Sequence, residues 1–216
     1  MKGYTGMKNK IADWENRLAH KLVDFTARRQ GIEIGSDQYE MRLYGAKCDI
    51  NNLEKTLIVY PIALFLGILP YVLAMGISTA SLRKRSFGLH MPSSMACLVE
   101  GLIVFLGGGL ITLHVRFHLR DVLVLFILIL LCVNAYAPAQ TKKRPIPDSQ
   151  KDDLRKQSLI KVMFWSWLAG MLIILSWTVP TMVGIRLEAI GFSLMLGLSV
   201  QAIHLTPVMF RLFERS

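Results

Sequence analysis

The chain holds five long apolar runs, at residues 57–80, 92–113, 122–137, 159–180 and 190–210. A soluble domain would interrupt such runs with polar residues at helical or strand spacing. Runs this long with so few charges mark helices that cross a bilayer, where each segment must satisfy its own backbone hydrogen bonds. The 53% hydrophobic content of the 216 residues agrees. The expected fold is an all-α polytopic membrane protein.

Positive charge sets the orientation, because Lys and Arg concentrate on the cytoplasmic side of short loops. Ten lie in residues 1–56, three in the stretch Leu82–Ser86, two in 114–121, seven from the proline-rich linker 137–148 through Lys161, one in 181–189 and two in the tail. If 57–80 crossed once, the N-terminus and the linker would face opposite sides. If 57–80 returns to its own side, 22 cations lie inside and 3 outside. Pro61 and Pro70 would allow such a bend. The expected architecture is therefore four spanning helices, a re-entrant hairpin at 57–80 and a cytoplasmic N-terminus. A single crossing by a kinked helix is the alternative.

Residues 8–30 place Ile11, Trp14, Leu18, Leu22 and Phe25 at spacings of three and four on a basic helix. Residues 36–56 read as a second amphipathic helix opened by Ser36, with Glu40 near the capping-box position. Such helices lie on anionic membrane surfaces or against partner helices. The expected division is 1–56 as cytoplasmic or interfacial amphipathic helices and 57–216 as the integral membrane domain. No apolar segment near Met1 reads as a signal peptide.

Chemistry concentrates in Arg83–Glu100, R-K-R-S-F-G-L-H-M-P-S-S-M-A-C-L-V-E. A thiol attacks as thiolate, and a nearby imidazole is the usual way to make one. On one continuous helix His90 and Cys97 would be about 10 Å apart, too far for proton transfer. A helix starting near Pro92 leaves His90 on a loop, with Gly88 supplying the bend back toward Cys97. Ser93, Ser94 and Glu100 then flank the thiol at i−4, i−3 and i+3. Glu100, inside an apolar run, is a functional candidate because a buried carboxylate is costly. Without further context, Cys97 reads more readily as a buried inert thiol than as a nucleophile.

The remaining candidates read as structural. His114 and His118 stand i, i+4 without a third ligand beside them and belong to a solvated outer loop. His204 reads as a helix-packing histidine, and Cys48 and Cys132 as structural thiols. Three cysteines at unrelated spacings form neither a disulfide framework nor a metal site, so no metal or cofactor is expected.

Two blocks resemble the accessory gene regulator B family, membrane cysteine peptidases that mature quorum-sensing pro-peptides in Gram-positive bacteria. Arg83–Cys97 is similar to a basic stretch followed by G-x-H-x-P-S-S-x-x-C. Tyr136–Pro147, Y-A-P-A-Q-T-K-K-R-P-I-P, is similar to Y-A-P-A-x-T-K-K-x-P-I-P. The blocks cover about an eighth of the chain and are separated by one apolar hairpin. Members have additional histidines before G-x-H where this chain has Ser86 and Phe87, leaving His90 as the imidazole this stretch offers Cys97. The N-terminal fifty residues look long for the family, and nothing is carried onto them.

The resemblance implies a thiol endopeptidase whose substrate has an amphipathic leader, a short central segment and an acidic C-terminal tail. Cys97 would be the nucleophile and His90 the base, with Glu100 as an orienting third member or a protonated acid. Ser93, Ser94 and nearby backbone N–H groups would bind the oxyanion. The cations Arg83, Lys142, Lys143 and Arg144 would hold the acidic tail. It also implies a homodimer in lipid, no nucleic-acid partner, and an active site at the cytoplasmic face of a Gram-positive cell membrane. A non-enzymatic peptide transporter or membrane scaffold would use the same basic loops but has no need of a thiol beside an imidazole.

Overall fold

The computed structural model describes residues 2–86, 94–116, 118–138, 148–178 and 186–213. Among these, every regular element is a helix: α1 (Lys2–Gln30), α2 (Asp37–Phe65), α3 (Leu69–Ser86), α4 (Ser94–Gly101), α5 (Gly107–His114), α6 (Leu119–Tyr136), α7 (Asp148–Thr178), α8 (Leu187–His204) and α9 (Pro207–Phe213). A π-helical turn, Leu102–Leu106, joins α4 to α5. Among the described residues, four segments are long and apolar enough to cross a membrane: Met95–His114, Leu119–Tyr136, Gln150–Trp177 and Leu187–His204. These correspond to the four expected spans, with ends shifted by one to nine residues.

The N-terminal pair packs through small residues, leaving most of the described large apolar stripe outside the contact. Ser36 caps α2, its side chain accepting from the Tyr39 amide at 3.3 Å. Small residues Ala19, Val23 and Ala27 pack against Tyr39, Leu43 and Ile50. Of the predicted stripe, Leu18 joins this core, whereas Trp14, Leu22 and Phe25 stay about half exposed. Tyr39 donates to Asp24 at 2.6 Å, fixing the register of α1 on α2.

The run 57–80 reverses, but neither proline is the break. Pro61 sits inside α2, which continues unbroken from its amphipathic part to Phe65, and Pro70 lies in the first turn of α3, where its missing N–H costs nothing. The chain turns at Leu66–Ile68, with Gly67 at φ 70°, a backbone region that side-chain-bearing residues rarely adopt. Beyond the turn α2 and α3 lie side by side: the Tyr60 hydroxyl is 2.7 Å from where a side chain on Gly76 would begin. The basic stretch Arg83–Arg85, expected in a loop, is the last turn of α3, where cations oppose the negative end of the helix dipole.

Helix α8 occupies the centre. Its span is 61% buried, against 17–28% for the other three. It packs chiefly on α3 and α7, with Met195, Leu198 and Ala202 in one core with Ala74 and Leu82 of α3, Val133 of α6 and Val162 and Ile173 of α7. Between α3 and α8 the backbones touch. A methyl group on Gly197 would overlap Ser78 Oγ and the Met75 carbonyl oxygen. The Ser78 hydroxyl lies 2.9 Å from the Leu194 carbonyl, and that of Thr79 2.9 Å from the Gly197 carbonyl. In lipid, apolar side chains gain little from each other's company, so close backbone approach and such hydroxyl bonds hold helices together.

Gly197→Ala is therefore expected to destabilise the full-length protein in detergent by about 1–3 kcal/mol through overpacking. Gly107→Ala, where an added methyl meets nothing within 4 Å, should be neutral or stabilising by up to about 1 kcal/mol. Equal shifts in the two unfolding curves would contradict this account of the α3–α8 contact.

Candidate active site

Cys97 lies one turn into α4 and is a free thiol, 3% exposed. Burial follows from its place between helices: α2 packs on α4, and the Lys55 side chain reaches across to within 3.5 Å of where a side chain on Gly101 would begin. One turn beyond Cys97, the Glu100 carboxylate meets an imidazole. Its Oε1 is 2.5 Å from Nε2 of His204, the last residue of α8, with side chains 18% and 8% exposed. Lys55 of α2 and Arg83 of α3 are close enough to act on Glu100 electrostatically. The His204 Nδ1 atom is buried and has no hydrogen-bond partner among the described residues.

The last turn of α8 is a junction. Gln201, fully buried, donates through Nε2 to Ser86 Oγ at the end of α3, 3.2 Å away. The Cys132 thiol on α6 donates to the Ala202 carbonyl at 3.3 Å. His204 holds Glu100 on α4. These contacts bring the end of α3, Glu100 near the end of α4, and the last turns of α6 together at one end of the bundle. Arg155 of α7 donates to the Ala137 carbonyl at 3.1 Å, which adds the start of α7. At the opposite end Arg186, leading into α8, donates to the carbonyls of Leu113 and Val115 at 3.0 Å each and pairs with Glu188 at 2.8 Å.

Of the site residues expected from sequence, Cys97, Glu100 and Arg83 gather at this end. Arg83 is half-buried near Glu100. Ser94 opens α4; its side chain lies outside the described part of the structure, as do His90, Ser93, Lys142, Lys143 and Arg144. The segments holding those residues are flanked by Ser86 and Ser94, and by Pro138 and Asp148, all at the same end. His114 and His118 lie elsewhere: His114 Nδ1 is 2.9 Å from the Leu110 carbonyl, and the His118 amide donates to Asp121.

His204 is the residue that sequence reasoning undervalued. Its signal was available: two ionisable residues, Glu100 and His204, each sit within an apolar run, and such residues tend to find one another. The π turn at Leu102–Leu106 had no sequence signal beyond the glycines that follow it.

The sequence profile described as Accessory gene regulator B matches residues 17–205. The chain belongs to the accessory gene regulator B family. It is 32% identical over 159 residues to the accessory gene regulator protein B of Staphylococcus aureus strain MRSA252, covering 73% of this chain and 76% of that one. It is 34% identical over 132 residues to the protein of that name from Staphylococcus carnosus, covering 61% and 65%. A putative AgrB-like protein of Clostridium acetobutylicum is 27% identical over 164 residues, covering 76% and 74%. No solved structure matches the chain. The family's extent takes in all of α2 and half of α1, so most of the N-terminal region that looked long for the family lies within it. It also reaches the junction at the end of α8.

Proposed function

We propose that this protein is a membrane-embedded cysteine endopeptidase that removes the C-terminal tail of a quorum-sensing pro-peptide and supports ring closure of the remainder. The observation that carries this reading is the first family block itself. It supplies His90 seven residues before Cys97, and Cys97 is a buried free thiol beside a carboxylate at the end of the bundle where both blocks begin.

The chemistry proceeds in two acyl transfers. The Cys97 thiolate attacks the carbonyl that joins the central segment to the acidic tail. His90 takes the thiol proton and delivers it to the departing amine. The C–N bond breaks, a C–S bond forms, and the tail leaves as a free amine. An internal cysteine or serine of the substrate then attacks the thioester and closes a thiolactone or lactone, returning the proton to the Cys97 sulfur. A water-poor pocket lets the tethered nucleophile reach the acyl-enzyme before water does, and tethering supplies effective concentration. Amide to thioester is uphill, whereas thioester to thiolactone is nearly level, so release of the tail drives the sequence. Ser93 and Ser94, with the first backbone N–H groups of α4, are the oxyanion donors in this reading. Lys142, Lys143, Arg144 and Arg83 attract the acidic tail.

The protein works as a homodimer in a Gram-positive cell membrane, with residues 1–56 along the cytoplasmic surface and 57–216 forming the peptidase. The exposed Trp14, Leu22 and Phe25 of basic α1 support the surface placement. The α2–α3 reversal is a re-entrant hairpin in this scheme. Its support is that Ile68 and Val72 sit against Gly109, before the His114 end of the first span is reached, while Arg83–Arg85 return to the Cys97 end.

Cys97→Ala in proteoliposomes should abolish cleavage of a pro-peptide taken from the neighbouring reading frame. His90→Ala should lower it by a factor of about 100 or more. Cys48→Ser and Cys132→Ala should stay within about threefold of wild type, since neither thiol takes part in the transfers. Substrate binding should weaken with salt, and the triple change of Lys142, Lys143 and Arg144 to glutamine should remove that dependence. Cleavage by Cys97→Ala would rule out Cys97 as the nucleophile, and no cleavage by the wild type would favour transport or scaffolding.

Cysteines placed at the exposed positions Glu40, Lys84 and Gln150 should resist an impermeant thiol reagent on intact cells and react after permeabilisation. Labelling of any of the three from outside would sink the hairpin topology.

A further inference from the structure

Lys55 is the last cation of α2 before the apolar run 57–80. A lysine at such a boundary ordinarily runs its stem outward, so that the ammonium stays in water. This one lies across α4 instead. It is half-buried, and its Cγ, Cδ and Cε atoms pass 3.8, 3.5 and 3.7 Å from where a side chain on Gly101 would begin. Gly101 leaves room for that stem, and it stands four residues after Cys97, on the same face of α4. Side chains so spaced are about 5–6 Å apart, which brings the Lys55 stem within about 10 Å of the thiol.

The charge at the tip of that stem is not taken up by the protein. Of the two carboxylates beside it, Glu54 is turned to Glu15 of α1, and Glu100 is held by His204 at 2.5 Å. Among the described residues, no carboxylate stands within ion-pair distance of the Lys55 ammonium. An ammonium drawn partly out of water without a partner is costly. Beside a nucleophile it makes a place for an anion, and a peptide offers anions as its carboxylates. An extended peptide advances about 3.3 Å per residue, so a cation within about 10 Å of the thiol reaches about three residues from the scissile bond. We propose that Lys55 is a specificity-determining residue whose ammonium pairs with an acidic side chain of the substrate close after the scissile bond.

This role rests on the reading of Cys97 as nucleophile. It places the carboxylate on the departing side, because a carboxylate there leaves with the tail, whereas one in the central segment would stay anchored while the ring closes. It also differs from the general attraction of the basic end of the bundle. A long-range field draws an acidic tail wherever its carboxylates lie, but a single half-buried ammonium reads one position.

The test varies the peptide as well as the protein. Full-length protein in phosphatidylcholine–phosphatidylglycerol vesicles is given the pro-peptide of the neighbouring reading frame, with glutamate or its neutral isostere glutamine placed in turn at each of the first three positions after the scissile bond. The wild type should favour glutamate over glutamine in kcat/KM by about tenfold at one of these positions, as expected for a charge-assisted bond. Lys55→Gln should bring that ratio to within about twofold, Lys55→Arg should keep most of it, and Lys55→Glu should favour lysine at the same position.

An unchanged ratio in Lys55→Gln overturns the assignment. So does an equal fall on every peptide, because that reports damage to the fold or to chemistry common to all substrates. A wild type indifferent to glutamate and glutamine at all three positions overturns it without any variant. No cleavage of any peptide by the wild type takes down the peptidase reading, and this role with it, whereas cleavage that Lys55 does not bias removes this role alone. Should Lys55→Gln fail to insert, Lys55→Met, which keeps an unbranched apolar stem over Gly101, is judged by the same ratio.

Discussion

Backbone contact between α3 and α8 is the constraint on which the rest of this molecule depends. A membrane interior offers two helices little hydrophobic reason to associate, so the contact must be made by close approach and by hydrogen bonds. Gly197 removes the side chain that would hold the helices apart, and Ser78 and Thr79 then reach α8 carbonyls. With that register fixed, Gln201 comes opposite Ser86, and the end of α8 lies level with the end of α3. His204, one turn later, is then placed to meet Glu100 on α4. The buried position of Cys97 is thus tied, through one helix turn and two polar contacts, to a glycine far along the chain.

The same arrangement sorts charge. The end of the bundle that gathers Ser86, Glu100, Ala137 and His204 also carries Arg83–Arg85 and the basic start of α7, with Lys151, Arg155 and Lys156. The opposite end has Arg116, Arg120 and Arg186, and Arg186 is engaged by Glu188 and two carbonyls. Uneven charge of this kind orients a membrane protein. In the proposed function it has a second use, because the acidic tail of a substrate would be drawn to the end where the thiol lies.

Much of this was legible in the sequence because lipid imposes a simple grammar. Runs of apolar residues predicted the four spans, and 57–80 divides into the end of α2 and most of α3, joined by a turn. The place of the turn was not legible: two prolines drew attention, yet Pro61 is carried within α2 and Gly67 makes the bend. Prolines announce lost amides, whereas a left-handed turn depends on which residue must take positive φ, and several glycines compete for that role. The surface by which α1 meets α2 was not legible for a related reason. Large apolar residues dominate a sequence stripe, but the close α1–α2 contact selects small ones, Ala19, Val23 and Ala27. At the site, Cys97 and His90 are candidates that the motif supplies. The partnership of Glu100 with His204 spans about a hundred residues and depends on helix register, which no local pattern encodes.

The central claim is that Cys97 forms a covalent acyl-enzyme. Intact-mass measurement on wild-type protein mixed with a substrate whose ring nucleophile is replaced by alanine tests it most directly. The account predicts an accumulating adduct with the mass of the tail-less peptide, mapped to Cys97 and released by hydroxylamine as thioesters are. Cleavage with the adduct on another residue, or cleavage with no adduct at all, would contradict it.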